Sequence, residues 1–162
     1  MWSTLRMHDV TLRRLAPSDR QGVLDLRPAP AQQHLVASVE KSLAEVDADV
    51  ALTAFAIFDG SQLGLPEPEE PPIGFAVTEV VASVGFVLRL LIGEEHQQKG
   101  YGRAALTELV RRLRMNPDVE VVATSHRVDN AAMGRLCAAM GFEPWDTPFT
   151  APEGEVYLRL PS

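Results

Sequence analysis

From residue 10 to 15 apolar and polar residues alternate, the period of a half-buried strand, with Thr11 among them. Ser18 follows Pro17 and offers an N-cap, so a short helix is expected through Leu24 or Leu26, ended by Pro28 and Pro30. A second helix is expected over residues 32–46, where Leu35, Val36, Val39, Leu43 and Val46 recur at helical spacing. Glu40, Glu45, Asp47 and Asp49 lie along it or just beyond. Residues 51–58 read as a buried strand, and Asp59-Gly60 opens a turn. The stretch 63–72, rich in proline, glutamate and glycine, reads as a mobile hairpin loop. Residues 73–81 and 85–92 then return as strands, which makes an antiparallel meander of three.

The pattern changes after that. Leu106, Leu109, Val110 and Leu113 form the stripe of an amphipathic helix, with Arg111, Arg112 and Arg114 near its C-terminal end. Asn116-Pro117-Asp118 stops it, and residues 119–124 make another strand. A helix between two strands predicts a right-handed parallel crossover. Asp129 or Asn130 caps a further helix to Met140, which Gly141 ends. Residues 142–145 and 156–160 are two closing strands. The expected order is β-α-α-β-β-β-α-β-α-β-β. It describes one α/β (α+β) domain over residues 1–162, with a mixed, mostly antiparallel sheet of six to seven strands and about four flanking helices.

The centre of the chain is the stretch from Leu88 to Leu106: a buried strand, a polar turn holding Gly100 and Gly102, then a helix. Glycine lets the backbone approach a ligand, and a helix start presents unpaired N–H groups and partial positive charge. Such a turn suits a phosphate. A P-loop is excluded, because Lys99 precedes Gly100 and no Gly-Lys-Ser/Thr occurs. A dinucleotide fingerprint would accept Ala105 as its third position. Yet the preceding strand follows a meander, and the acidic residue due about 20 positions on falls at Glu120, at a strand's start. A glycine turn with no ligand is the remaining structural reading.

Composition narrows the class. No apolar run approaches the ~20 residues of a membrane span, and the N-terminus lacks a signal-peptide core, whether Met1 or Met7 is the start. The single cysteine, Cys137, rules out an internal disulfide and a multi-cysteine metal site, so a reduced, cytoplasmic protein without metal is expected. A net charge of −7 disfavours nucleic acid or an anionic membrane as partner and is compatible with a cationic substrate.

Two motifs carry a resemblance. Gln97-x-x-Gly100-x-Gly102 resembles the Gln/Arg-x-x-Gly-x-Gly/Ala signature of the GNAT superfamily of acyl-CoA-dependent N-acyltransferases. Residues 130–142 resemble that family's Asn-x-x-Ala-x-x-Leu-Tyr-x-x-x-Gly-Phe, with Asn130, Leu136, Gly141 and Phe142 in register. The element order is also similar. The resemblance implies acetyl-CoA as cosubstrate. Backbone groups of Leu90, Leu91 and Ile92 would pair with its pantetheine arm. Gln97, Gln98, Lys99, Gly100, Tyr101, Gly102 and Arg103 would hold its pyrophosphate, and the Asn130 side chain would touch the pantetheine. The strands from Val87 and from Val119 would splay to leave a slot for the thioester. A homodimer is the implied assembly.

Further segments resemble the diamine and spermine/spermidine acetyltransferases: residues 33–37 and 42–45, Arg89, Ser125, and Glu153-Gly154-Glu155-Val156. A polyamine or small diamine is therefore the first acceptor expected. An amino-acid-like amine, a protein N-terminus or an aminoglycoside are the alternatives. Val39, Ser38 and Gly93 depart from that branch's asparagine, proline and aspartate.

The chemistry asks for specific groups. An alkylamine, with a pKa of about 10.4, must shed a proton before it attacks a thioester. Glu79, on the third strand, is a candidate base. Ser125 is placed to orient a water or the amine. Glu40, Glu153 and Glu155 are candidates for holding a cationic acceptor. In the family a tyrosine seven residues past the asparagine commonly protonates the departing sulfur. Cys137 stands there, so it is the candidate acid, with packing on an apolar helix face as its competing role. Without the tyrosine, a non-catalytic acyl-CoA sensor is the alternative to an enzyme. Arg89, inside an apolar strand, calls for an acidic partner on the second helix.

Overall fold

The computed structural model describes residues 9–28, 38–147 and 153–161. Its elements are β1 (Val10–Arg14), α1 (Arg20–Leu24), α2 (Val39–Ala48), β2 (Leu52–Asp59), β3 (Gly74–Val81), β4 (Val84–Ile92), α3 (Tyr101–Met115), β5 (Val121–Arg127), α4 (Ala131–Ala139), β6 (Glu143–Pro144) and β7 (Glu155–Arg159). The order is the expected one. Seven strands form one sheet in the order β1-β2-β3-β4-β5-β7-β6. Strands β1 to β4 are the antiparallel meander, β4 and β5 are parallel across the α3 crossover, and β7 pairs antiparallel with both β5 and β6.

Helices cover both faces, which explains the unbroken apolar runs of β2 and β3. On one face the α3 stripe of Leu106, Leu109, Val110 and Leu113 packs on Leu12, Ile57, Ala76 and Val87. On the other, Val23 of α1 and Val39 and Leu43 of α2 cover Ala54, Ala56, Phe75 and Leu91. Fully burying Leu106 or Leu109 stabilises the fold by about 1.5–3 kcal/mol each. No helix among the described residues is long and apolar enough to cross a membrane.

Local details differ from the sequence expectation. Ser18 is not the cap. A 3-10 turn starts earlier, at Pro17, and the buried Asp19 carboxylate accepts from the Ala16 N–H at 2.9 Å and from Arg13 Nε at 3.1 Å. The described part of α2 begins at Val39, where Ser38 Oγ accepts the Lys41 N–H. Residues 32–37, with Leu35 and Val36, lie outside the described residues. The loop 63–72 is tied at its root. The buried Gln62 side-chain oxygen accepts the N–H groups of Glu69 at 2.7 Å and Glu70 at 3.3 Å. That contact spans seven or eight residues and has no periodic signature.

One feature of the sheet positions everything functional. β4 pairs with β5 only from Val84↔Val121 to Val87↔Thr124. On its other side, β4 slips register against β3 at the same level: Thr78 faces Val87 and Val77 faces Arg89, so Leu88 is an extra residue. A bulge bends its strand and increases the local twist. From Leu88 onward β4 leans away from β5, and a split opens in the sheet. β5 continues to Arg127, past the expected end at Thr124, because β7 pairs with its residues 123–127. Where the strands part, Val87 C=O would lose its partner. The hydroxyl of the fully buried Thr124 donates to it at 2.8 Å.

The start of α3 is fixed separately. Tyr101 OH donates to Asp59 Oδ1 at 2.7 Å, which ties the first helical turn to the end of β2. Burial first, then the bond to Asp59, push the Tyr101 phenol up to about 12. Burial alone pushes the Cys137 thiol up to about 11.

Two expected outcomes follow from these contacts. Thr124→Val keeps the shape and strands the Val87 carbonyl, so denaturant unfolding should show a loss of about 1–3 kcal/mol. Above about pH 9 for the thiol and about pH 10 for the phenol, the unfolded chain binds fewer protons than the folded one, so stability falls as pH rises. Urea midpoints measured across this range should fall less steeply in Cys137→Ala, and in Tyr101→Phe above about pH 10.

Candidate active site

The glycine turn is built from β4 into α3. After Ile92 the chain passes Gly93 and a 3-10 turn at Glu94–His96, and the Gln97 amide donates back to Ile92 C=O at 3.0 Å. Gln98 then takes φ +62° and Gly100 φ +86°. The left-handed φ at the helix cap is the reason for glycine at 100. Alternating handedness of this kind turns successive N–H groups into one concavity. The Ala104 N–H reaches back to Gly100 C=O at 3.1 Å, so the N–H groups ahead of it in the turn stand outside the helical ladder. Lys99 and Arg103 are exposed beside the turn and add positive charge.

Below the turn lies a cavity of about 420 Å³, lined by Leu90, Ile92, Gln97, Gly102, Asn130 and Arg135 among others. Gly102 is not crowded. A Cβ built there would come no closer than 3.8 Å to Leu136 and 4.0 Å to Ile92. A second cavity of about 340 Å³ occupies the split itself. It is walled by β4 at Val87 to Leu91, by Thr124 to Arg127 of β5, by Glu155 of β7, and by Val39, Lys41 and Ser42 of α2. Leu90, Leu91, Asn130 and Met133 line both cavities, so the two meet where β4 and β5 diverge. Past Val87, β4 presents to the split an edge that no strand of the sheet pairs.

The sequence candidates divide. The residues expected to hold the cosubstrate converge: Leu90, Leu91, Ile92, Gln97, Gln98, Tyr101, Gly102 and Asn130 all line the cavity under the turn, with Lys99, Gly100 and Arg103 in the turn or its helix start. Asn130 does two jobs. Its Oδ1 accepts the Met133 N–H at 3.2 Å and caps α4, which leaves the amide N–H2 for a ligand. Ser125 and Glu155 line the split. Arg89 meets the acidic partner expected of it: Glu45 of α2, at 3.8 Å.

Four candidates do not arrive. Cys137 is 0 % exposed in the α3-side core and lines neither cavity. The α4 stripe that turns Asn130 and Met133 to the split carries Cys137 one turn further, where a short thiol is covered by packing. Its raised pKa makes it a poor proton donor as well. Glu79 faces Phe86, in the part of the sheet where β4 and β5 are still paired, and lines neither cavity. Its carboxyl is pushed up by burial and then by Asp49. Glu40 is exposed because the helical phase of α2 turns Val39, Ser42 and Leu43 inward. Glu153 is exposed and outside the lining, two residues from Glu155. Of the segment 33–37, nothing is described.

From the sequence, His126 reads as an ordinary exposed loop histidine, because the strand is ended at Thr124. The β7 pairing keeps it in β5, half-buried and lining the split. Its Nδ1 lies 2.7 Å from Arg127 C=O. A carbonyl only accepts, so Nδ1 carries the proton and Nε2 is the exchanging nitrogen. The ring lies against α4: a Cβ on Gly134 would meet His126 Cε1 at 3.5 Å. Arg127 and Ser125 point to the opposite face, toward α2.

A family model described as an acetyltransferase (GNAT) domain matches residues 9–143. Among curated protein sequences, none matches. Solved structures similar to the chain include AAC(6')-Ib in complex with paromomycin and acetyl-CoA (21% identity, TM-score 0.72, covering 94% of this chain and 93% of that one). The ribosomal-protein-S18-alanine N-acetyltransferase of Escherichia coli is also similar (20%, TM-score 0.67, 94% and 93%). So is the spermidine N-acetyltransferase of Vibrio cholerae in complex with CoA and spermine (17%, TM-score 0.66, 93% and 93%). At these identities the structures share the fold. The family model spans most of the 162 residues and includes both the turn and the split, and the chain belongs to the GNAT acetyltransferase-domain family.

Proposed function

We propose that this protein transfers an acetyl group from acetyl-CoA directly to a primary amine. The observation that carries the reading is the split between β4 and β5, which opens beside the glycine turn and shares its lining with the cavity below that turn. The N–H groups of the turn, with Lys99 and Arg103, suit a pyrophosphate. The free edge of β4 from Leu90 to Ile92 suits the amide-bearing pantetheine arm, as an added strand would. The Asn130 amide suits one of its carbonyls. Bound there, acetyl-CoA supplies an acyl carbon already activated toward amines.

The chain's own groups handle the protons. On the α2 side of the split, Glu155 is the carboxylate of the lining and takes the proton an alkylammonium must lose, with Ser125 in the same wall. On the α4 side, His126 replaces Cys137 as the group that hands a proton to the departing sulfur. One proton leaves the ammonium for Glu155, the new C–N bond forms as the C–S bond breaks, the sulfur takes a proton from Nε2 of His126 and leaves as a thiol, and the nitrogen's second proton goes through water to restore Nε2.

A polyamine or small diamine is the acceptor the sequence resemblance implies, and the similarity to a spermidine N-acetyltransferase supports it. An amino-acid-like amine, a protein N-terminus or an aminoglycoside are the other acceptors. The lining of the split sets Lys41, Arg89 and Arg127 against Glu155, a balance that works against a bare polycation. The tyrosine missing at position 137 favours a second reading, an acyl-CoA-binding sensor without turnover.

Titration with acetyl-CoA, followed by thiol release against a panel of amines, tests the proposal. Binding with amine-dependent release is expected; binding without release on any amine would leave the sensor. Gly102→Val sets its Cβ at ordinary contact distance from Leu136 and Ile92 and fills the cradle, so CoA affinity should fall by about tenfold or more while the melting temperature changes little. Cys137→Ala should keep the transfer rate within about twofold, whereas His126→Ala should lower kcat by about 10²-fold or more. The reverse pattern would return the acid role to the thiol.

A further inference from the structure

A buried polar atom without a partner asks what fills its need. Among the described residues three side-chain atoms are so placed: Thr11 Oγ1, Ser42 Oγ and Arg89 Nε. Thr11 belongs to the edge strand β1. The other two come from different elements, α2 and β4, and line the same cavity, the one in the split. Ser42 is 3 % exposed and sits inside the helix, so bulk water does not serve its hydroxyl. Neither residue lines the cavity beneath the glycine turn. Both therefore belong to the acceptor end.

The chemistry of the pair is restrictive. Arg89 Nε–H can only donate, and it carries positive charge. The rest of the guanidinium is only partly engaged: one terminal nitrogen donates to Leu88 C=O at 2.9 Å, and the other stands 3.8 Å from Glu45. Ser42 adds a hydroxyl donor. Two donors, one of them cationic, in the wall of one cavity match an oxygen acceptor with negative charge. Lys41, in the same lining, has the same preference, while Arg127 is paired with Asp129 at 3.3 Å. Glu155 is the carboxylate of the lining and stands on β7, across the split from β4. A cavity of about 340 Å³ has room for a small molecule with charges of both signs.

We infer that the acceptor is an amino-acid-like amine whose carboxylate is held by Arg89 and Ser42, leaving its ammonium to Glu155. The inference rests on the acetyl-transfer reading and narrows its substrate class from any primary amine to one that carries a carboxylate. Arg89 and Ser42 thereby become specificity-determining residues rather than an incidental ion pair and a buried hydroxyl.

Matched amines that differ only in the carboxylate provide the test: lysine against 1,5-diaminopentane, and ornithine against 1,4-diaminobutane. Thiol release from acetyl-CoA should favour the amino acid of each pair in kcat/KM by about ten- to a hundredfold. Arg89→Met should erase the preference and Ser42→Ala should reduce it, with acetyl-CoA affinity unchanged in both. Equal rates within each pair, or a preference for the diamine, would overturn the inference while acetyl transfer itself stood. Faster transfer to the diamines from succinyl-CoA than from acetyl-CoA would move the carboxylate to the acyl chain and overturn its assignment to the acceptor. Calorimetry of the same pairs on the CoA complex reads the discrimination without turnover. Amino acid binding that is lost in Arg89→Met supports the inference even if no amine releases thiol, an outcome that would sink the acetyl-transfer reading alone. Binding of neither member, or of the diamine alone, overturns the inference.

Discussion

The parting of β4 from β5 is the constraint on which the rest depends. Two parallel strands joined by a crossover helix ordinarily pair along their length, because an unpaired backbone edge inside a fold costs hydrogen bonds. Here the pairing ends at Val87 and Thr124, and the extra residue Leu88 bends β4 at that level. Three contacts make the parting tolerable. The Thr124 hydroxyl takes over Val87 C=O, β7 pairs with the freed length of β5, and β3 still holds β4 on its other side. The edge left open on β4 faces a cavity that suits a ligand with amide groups of its own.

The polar groups at the split belong to two sides with different chemistry. The α4 side carries Asn130 and the imidazole of His126. The α2 side carries Ser42, Arg89, Arg127 and Glu155. That division follows from the alternation of β5: Ser125 and Arg127 point one way and His126 the other. In the proposed reaction a proton leaves the incoming amine on one side and another reaches the departing sulfur on the other side. Arg89 shows how position changes meaning. As a surface pair with Glu45 at 3.8 Å it would contribute little to stability. With its Nε buried and unpartnered, it is a cost to the fold that a bound oxyanion would offset.

Stability and binding also meet at the start of α3. The Tyr101 bond to Asp59 anchors the first helical turn to β2, and the Gln97 amide anchors the approach to it at Ile92 C=O. Between these anchors the backbone takes the left-handed conformations of Gln98 and Gly100. The turn that suits a pyrophosphate is therefore built before any ligand arrives, so less ordering remains to oppose binding.

What the sequence determined by itself is whatever rests on local periodicity and close spacing. The stripe of Leu106, Leu109, Val110 and Leu113, the runs in β2 and β3, and Gly100 at a helix start are legible because each repeats within a few residues. The element order followed from these, and the residues that the family resemblance marked around the glycine turn line one cavity. The acceptor end was legible only in part. Glu155 and Ser125 reached the split, but Glu40, Glu79, Glu153 and Cys137 did not. Helical phase turned Glu40 outward, strand register set Glu79 opposite Phe86, and core packing covered Cys137. His126 and Ser42, which line the split, were not singled out as site candidates for the converse reason. Their place depends on the pairing of β5 with β7 and the seating of α2 on β4, contacts between residues far apart in the chain. Such contacts leave no periodic trace, and the tertiary structure alone decided which side chains share the cavity.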